Sequence, residues 1–329
     1  MRRIPVYVVL PPRLTLLDVA GPMEVLRRAN LEQAELQFEV RYIGPSSTLL
    51  TSIGLPFCSI EPLPPALPEA AMIVVAGDVD DVMIPQAGLD PGRSALDQAH
   101  EAAIVDWLRQ QVRATHKLIC ICSGAVIAAR AGLLNGRSCT THYACCNELA
   151  AIAPTAKVLE NRLYVEDGER YTSAGIMAGV DLMLYIVGRL TTEACAAAIA
   201  RYLVVYLRRS GADPQLSPWL EGRNHIHPTV HRVQDAISRD PAKDWNLHGL
   251  ARIAGSSNRH LSRLFHEHAG MNITDYINRL RVSMARELIS QTSLDIERVA
   301  ERAGFGSTRQ LRRAWRRLYG TTPRQARRR

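Results

Sequence analysis

Two apolar patterns alternate along the first two thirds of the chain. Short apolar runs at 6–10, 72–76 and 118–121 have the length of strands, and 38–43 also reads as a strand. Between them lie longer stretches with helical spacing: LDVAGPMEVLRRA over 17–29, an amphipathic segment over 100–113, and an alanine-rich stretch that begins abruptly after Ser123 and Gly124. The proline-rich region 61–68 is predicted as loop, and the acids Asp78, Asp80 and Asp81 follow the run at 72–76 in another loop. The segment 157–171 suggests a hairpin turning at Asp167 and Gly168, and 175–190 and 193–207 are predicted helices. Strands alternating with helices in this way call for a parallel sheet covered on both faces. Gly, Pro and Ser then accumulate over 209–227, which is expected to be a linker.

Beyond residue 228 the strand pattern disappears and only helical periodicity remains. In the segment 298–323, RVAERAGFGSTRQLRRAWRRLYGTTP, Asp295 can cap a first helix whose apolar face holds Ile296, Val299, Ala300 and Ala303. Gly304 and Gly306 flank Phe305 where the chain must turn. Ser307 begins a second helix with Gln310 at capping-box spacing. Its apolar back is Leu311, Ala314, Trp315 and Leu318, and its other faces carry five arginines and no acid. A charged helix face is often merely solvated. A turn, a cap and an all-cationic face together describe a helix that enters the major groove of DNA.

The pattern occurs twice. Asn246, Leu247, Leu250, Ala251, Ala254 and Gly255 match Asp295, Ile296, Val299, Ala300, Ala303 and Gly304 at a spacing of 49. Leu261, Arg263, Phe265 and Gly270 match Leu311, Arg313, Trp315 and Gly320 at 50, so the second turn holds one inserted residue. A predicted helix over 274–290 joins the copies, and Ile277, Leu280, Met284, Leu288 and Ile289 are available to pack it. Rigidly joined, two such helices reach successive turns of duplex DNA, about 34 Å apart.

Composition sharpens this division. The 329 residues suffice for two cores, and the formal charge is +8. Residues 228–329 hold 20 basic against 9 acidic side chains, and the remainder 20 against 23. The excess of positive charge therefore belongs to the C-terminal part and points to a polyanionic partner. Arg2 and Arg3 precede an apolar run broken by Pro5, Pro11 and Pro12, which does not read as a signal peptide. No apolar stretch has membrane-spanning length, so no membrane partner is expected. The seven cysteines include no paired CxxC groups, which argues against zinc, and they suit a reducing cytoplasm.

One cysteine stands apart. Cys122 lies between the strand LICI and the helix GAVIAARAG, where a tight turn would set its sulfur at the carboxyl end of the sheet beside a helix amino terminus. That dipole would favour thiolate. The competing reading is a buried structural cysteine, as expected for Cys120 inside the strand.

The tandem helical part resembles the AraC/XylS family of transcription regulators over 228–329, most specifically in AGF, Trp315, Gly320 and Pro323, although aromatics common in that family are replaced here by Leu311 and Ala326. The resemblance implies that Arg259, Ser262 and Arg263 of the first reading helix, and Arg309, Gln310, Arg312 and Arg313 of the second, reach bases. Arg316 and Arg317 are then expected on phosphates. The N-terminal part, over about 4–209, resembles the DJ-1/PfpI superfamily and its GlxA-like branch, in which such a domain precedes an AraC-type reader. The resemblance rests on LDVAGPMEVL, ICSGA, AGLLNGR, TTH, TSAG with Asp181, and VVYLRR. It implies a flavodoxin-like α/β fold with Cys122 at a nucleophile elbow, Asp18 as its acidic neighbour and His142 nearby. Protease-like members carry histidine directly after the cysteine, where this chain has Ser123.

The resulting expectation is a transcription regulator without catalytic activity. Residues 1–208 would bind a small effector around Asp18, Cys122, Ser123 and His142; 209–227 would link; 228–329 would read double-stranded DNA, with the chain as a homodimer. The resemblance implies small nitrogenous metabolites, such as amino acids and methylated amines, as the effector class. The alternatives are a cysteine-dependent hydrolase or hydratase, and a redox sensor switching at Cys122.

Overall fold

The computed structural model describes residues 2–83, 94–205, 209–211, 215, 222–223, 225 and 227–326. The chain divides into two compact units, Met1–Gln215 and Leu216–Arg329. Most of the expected linker, and residues 206–208 of the VVYLRR motif, lie outside the described residues.

In chain order the first unit runs β1 (Arg2–Val9), α1 (Leu16–Glu32), β2 (Leu36–Gly44), β3 (Thr48–Leu50), β4 (Pro56–Cys58), β5 (Glu61–Pro62), β6 (Met72–Val75) and α2 (Ala95–Gln111). It continues with β7 (Lys117–Ile121), α3 (Gly124–Arg130), β8 (Ser138–Cys139), α4 (Cys146–Ile152), β9 (Lys157–Val158), β10 (Tyr164–Asp167), β11 (Arg170–Ser173), α5 (Met177–Leu190) and α6 (Glu193–Tyr202). Seven strands form one sheet in the order β10-β11-β7-β6-β1-β2-β5, parallel throughout except for the β10-β11 hairpin.

Unbroken apolar runs became strands because both faces of the sheet are covered. Successive side chains point to opposite faces. Val6, Val8, Met72, Val74, Ile119 and Ile121 pack with α1, α5 and α6, whereas Tyr7, Val9, Ile73, Val75, Leu118 and Cys120 pack with α2, α3 and α4. The short strands β3, β4, β5, β8 and β9 and the short helix α4 escaped the sequence pattern. The β3-β4 ladder is short and mostly exposed, and β5 sits at the sheet edge within the proline-rich stretch, where a missing N–H does least harm.

The second unit comprises α7 (Pro228–Arg239), α8 (Leu247–Ala254), α9 (Asn258–Ala269), α10 (Ile273–Gln291), α11 (Ile296–Arg302), α12 (Thr308–Tyr319) and α13 (Pro323–Ala326). It has two cores. Val230, Leu250, Leu261, Phe265 and Tyr276 belong to one, and Ala285, Val299, Phe305, Leu311 and Trp315 to the other. The first half of α10 packs in the former and the second half in the latter. No helix among the described residues is long and apolar enough to cross a membrane.

Candidate functional sites

The parallel sheet delivers β6, β7 and β11 to one edge, and the loops leaving their carboxyl ends meet around Cys122. Cys122 adopts φ +57°, a left-handed angle uncommon for a side chain with a Cβ. Neighbouring backbone holds it there. Its N–H donates to Ser173 O at 3.0 Å, and its carbonyl accepts from Thr141 Oγ1 at 2.8 Å. The close packing needs glycines: a Cβ on Gly77 would stand 2.8 Å from Cys122 Cβ, and one on Gly175 (φ +93°) would stand 2.7 Å from its Sγ. Gly124 opens α3 so close to β6 that a Cβ would collide with Val75 O.

Asp18 enters from the first turn of α1 and is fully buried. Its Oδ1 accepts from Ile176 N at 2.6 Å, and Ile176 is itself strained at φ +50°. Oδ2 makes no well-formed hydrogen bond, but the Cys122 thiol and the Gly77 amide lie near enough to favour its charge. Burial outweighs these contacts and pushes the carboxyl up to about 6. Burial also pushes the Cys122 thiol well above its ordinary value, and the Asp18 charge adds to this. The Ser123 amide, which favours thiolate, is the weaker influence, so a neutral thiol prevails over the dipole expected from the sequence.

Ser123 is tied to the loop after β6. Its hydroxyl accepts from Asp78 N at 2.8 Å and donates to Asp78 Oδ1 at 2.8 Å, an anchor between two loops. His142 follows Thr141, packs against Tyr143 with the rings tilted by 42°, and accepts a long hydrogen bond from Ala144 N at 3.4 Å. Burial holds its pKa below the usual histidine value. Among the described residues no hydrogen bond joins it to Cys122 or Asp18. The structure thus brings together Asp18, Cys122 and Ser123, and sets His142 one residue from the hydroxyl that steadies the elbow. Asp78 was read from the sequence only as a loop acid and Thr141 only as part of the TTH motif, and Gly77 and Ile176 were not assigned to the site, since only the folded loops bring the four together. The paired glycines in the loops after β6 and β11 were the available signal.

Arg209, placed in the linker by sequence, is held by the first unit. Its Nε donates to the buried Asp181 Oδ2 at 2.9 Å, and its Nη2 lies 2.6 Å from the same oxygen. Gln215 Nε2 likewise donates to Thr141 O at 2.8 Å.

In the second unit both helix-turn-helix copies are built as their repeat implies. Asn246 and Asp295 cap α8 and α11, and Ser257 and Ser307 cap α9 and α12. Gly255 and Gly304 take positive φ at the turns. The expected capping box at Ser307 is incomplete, because Gln310 Oε1 reaches one residue further back and accepts from Gly306 N at 3.1 Å. Leu261 and Phe265 bury one side of α9, and Leu311 and Trp315 one side of α12. Arg259, Ser262 and Arg263 are exposed on α9, as are Arg309, Gln310, Arg312, Arg313, Arg316 and Arg317 on α12. Arg317 differs from its neighbours in holding both carboxylate oxygens of Asp275. Arg309, Arg313 and Arg317 border a groove of about 550 Å³ between α10 and α12.

Comparison with known proteins follows the same division. The family model described as the DJ-1/PfpI family matches residues 5–189, and one described as a helix-turn-helix domain matches 250–329. The HTH-type transcriptional regulator GlxA of Rhizobium meliloti is 30% identical over 95% of this chain and 92% of its own. GbdR of Pseudomonas aeruginosa, also an HTH-type transcriptional regulator, is 31% identical over 68% of this chain; the match spans 60% of GbdR. CdhR of the same species is 27% identical over 98% and 90% of the two chains. Among solved structures, a ThiJ/PfpI family protein from Pseudomonas syringae shares the fold with a TM-score of 0.50 and 19% identity, over 78% of this chain and 92% of that one.

Proposed function

The chain belongs to the DJ-1/PfpI family and carries a helix-turn-helix domain behind that part, and from this premise we propose that it is a sequence-specific transcription regulator controlled by a small molecule. The observation that carries the proposal is the pair of reading helices, each with a buried apolar back and exposed cationic or polar side chains, in a chain whose relatives GlxA, GbdR and CdhR are named as HTH-type transcriptional regulators. Residues 228–329 read duplex DNA, those after Gln215 up to 227 connect, and the first unit, which holds Arg209 and Gln215, senses the effector. Arg259, Ser262, Arg263, Arg309, Gln310, Arg312 and Arg313 face bases, and Arg316 faces phosphate.

The elbow residues Asp18, Cys122 and Ser123, with His142, bind the effector without turning it over. A thiol raised by burial is a poor nucleophile, the Ser123 hydroxyl is tied to Asp78, and no hydrogen bond joins His142 to Cys122 among the described residues. A small nitrogenous metabolite suits a site whose carboxyl, pushed up to about 6 by burial, can take either charge state near neutral pH. The protein works in the cytoplasm as a homodimer, for which Leu17, Ile176, Met177 and Val204 supply exposed apolar surface on the first unit. The left-handed elbow beside a carboxyl group is the feature that favours the enzyme reading. One experiment separates them: promoter activation and product formation are measured together for wild type and Cys122→Ala over a panel of amino acids and methylated amines. Activation without cysteine-dependent product is expected. Turnover of the activating compound that Cys122→Ala abolishes would establish the enzyme instead.

A further inference from the structure

Helix α10 is shared between the two cores of the second unit, so the angle between the reading helices α9 and α12 depends on what braces the halves against each other. One brace is the loop after α7. Arg281 of α10 donates to Pro241 O and Lys243 O at 2.8 Å each, and a Cβ on Gly304 of the second turn would lie 2.5 Å from Ala242 Cα. A second brace is polar. Arg317 of α12 donates from Nη1 to Asp275 Oδ1 at 2.9 Å and from Nη2 to Asp275 Oδ2 at 3.1 Å, joining the reading helix of one half to the first turn of α10 in the other. The carboxylate is oriented independently. Asn272 Nδ2 donates to its Oδ2 at 2.9 Å, and Asn272 Oδ1 caps the helix by accepting from Asp275 N at 2.8 Å. A forked guanidinium on a pre-aimed carboxylate fixes direction as well as distance.

We propose that Arg317 is a positioning residue for DNA reading: paired with Asp275, it sets the angle between the two reading helices and thereby the half-site spacing the protein accepts. It is not a phosphate contact. This rests on the DNA-reading assignment above. The two roles predict opposite signs. If Arg317 served phosphate, Asp275 would compete with DNA for it, and neutralising Asp275 would tighten binding to every duplex. As a strut, the pair favours one spacing, and neutralising either member should cost affinity at that spacing alone.

The test uses the full chain and a duplex enriched by the wild type from a random library, together with versions lengthened or shortened by one base pair between the two half-elements. Kd is measured at one salt concentration for wild type, Asp275→Asn, Arg317→Gln and the double variant. The preference for native over shifted spacing should fall ~2–5-fold in each single variant, the scale of an exposed ion pair. The double variant should lose no more than either single one, as members of one pair must. Tighter binding of Asp275→Asn to all three duplexes, or uniform weakening by Arg317→Gln with the preference intact, would overturn the strut. Arg317 sits on an exposed face, so its variant tests the idea even if Asp275→Asn disturbs the start of α10. Failure to enrich any duplex would remove the DNA-reading assignment itself, and the strut with it.

Discussion

Asp18 shows how burial can overrule local charge. It keeps a strong hydrogen bond from Ile176 N, yet its carboxyl is pushed up to about 6 from an ordinary 3.8. A carboxyl raised on folding stabilises the protein while protonated, so this contribution is complete below pH 4 and is lost as pH rises through 6. The size is ~3 kcal/mol. Asp18→Asn keeps an acceptor for Ile176 N and cannot ionise. Denaturant unfolding of the two proteins from pH 4 to 8 should show wild type losing ~3 kcal/mol relative to the variant, and a constant difference would contradict the buried charge. The thiol next to it yields a second expectation. At pH 7 iodoacetamide should label the exposed Cys58 well before Cys122, as peptide mass spectrometry can follow. The sequence placed Asp18 and Cys122 in one site, but the neutrality of the thiol depends on burial and separation, which appear only once the loops close.

At the scale of elements, legibility followed the size of the hydrophobic signal. The strands β1, β6 and β7 have apolar faces to satisfy on both sides, β2 alternates apolar and polar positions, and all four were plain in the sequence. So was the repeat in the second unit, because helix spacing, caps and turn glycines all agree there. The β3-β4 ladder and β5 bury little and left no pattern. The Gln310 side chain chose Gly306 N over Ser307 N, a competition between adjacent donors that spacing cannot decide. The elbow makes a specific demand on one loop. Gly175→Ala adds a Cβ at a positive φ and against Cys122 Sγ, and should cost about 2–4 kcal/mol. Gly136→Ala shares the positive φ (+68°) but meets nothing within 4 Å, so it should cost about 1 kcal/mol. Similar losses in the two variants would mean that the elbow is packed more loosely than its contacts imply.

For the whole molecule, the charge division is the property with the widest consequence. Residues 228–329 carry 20 basic against 9 acidic side chains, while the rest carry 20 against 23. A net figure of +8 hides this, although the two units have separate cores. Binding to duplex DNA by the full chain should weaken linearly on a plot of log affinity against log salt, with a slope of about −0.9 per neutralised phosphate. The fragment 1–215 should show no such binding. Two arginines on α12 then separate the kinds of contact. Arg316→Ala should weaken all sequences alike and reduce the slope by about 1, because it removes one phosphate contact. Arg313→Ala should cost about 1–3 kcal/mol on the preferred duplex and much less on scrambled DNA, because base contacts carry the discrimination. Salt titrations of the three proteins on both duplexes measure slope and discrimination together. Exchange of the two phenotypes would mean that α12 meets the groove on the face of Arg312 and Arg316, a rotation that would turn Arg313 from the bases while Arg309, two turns before Arg316, stays on that face.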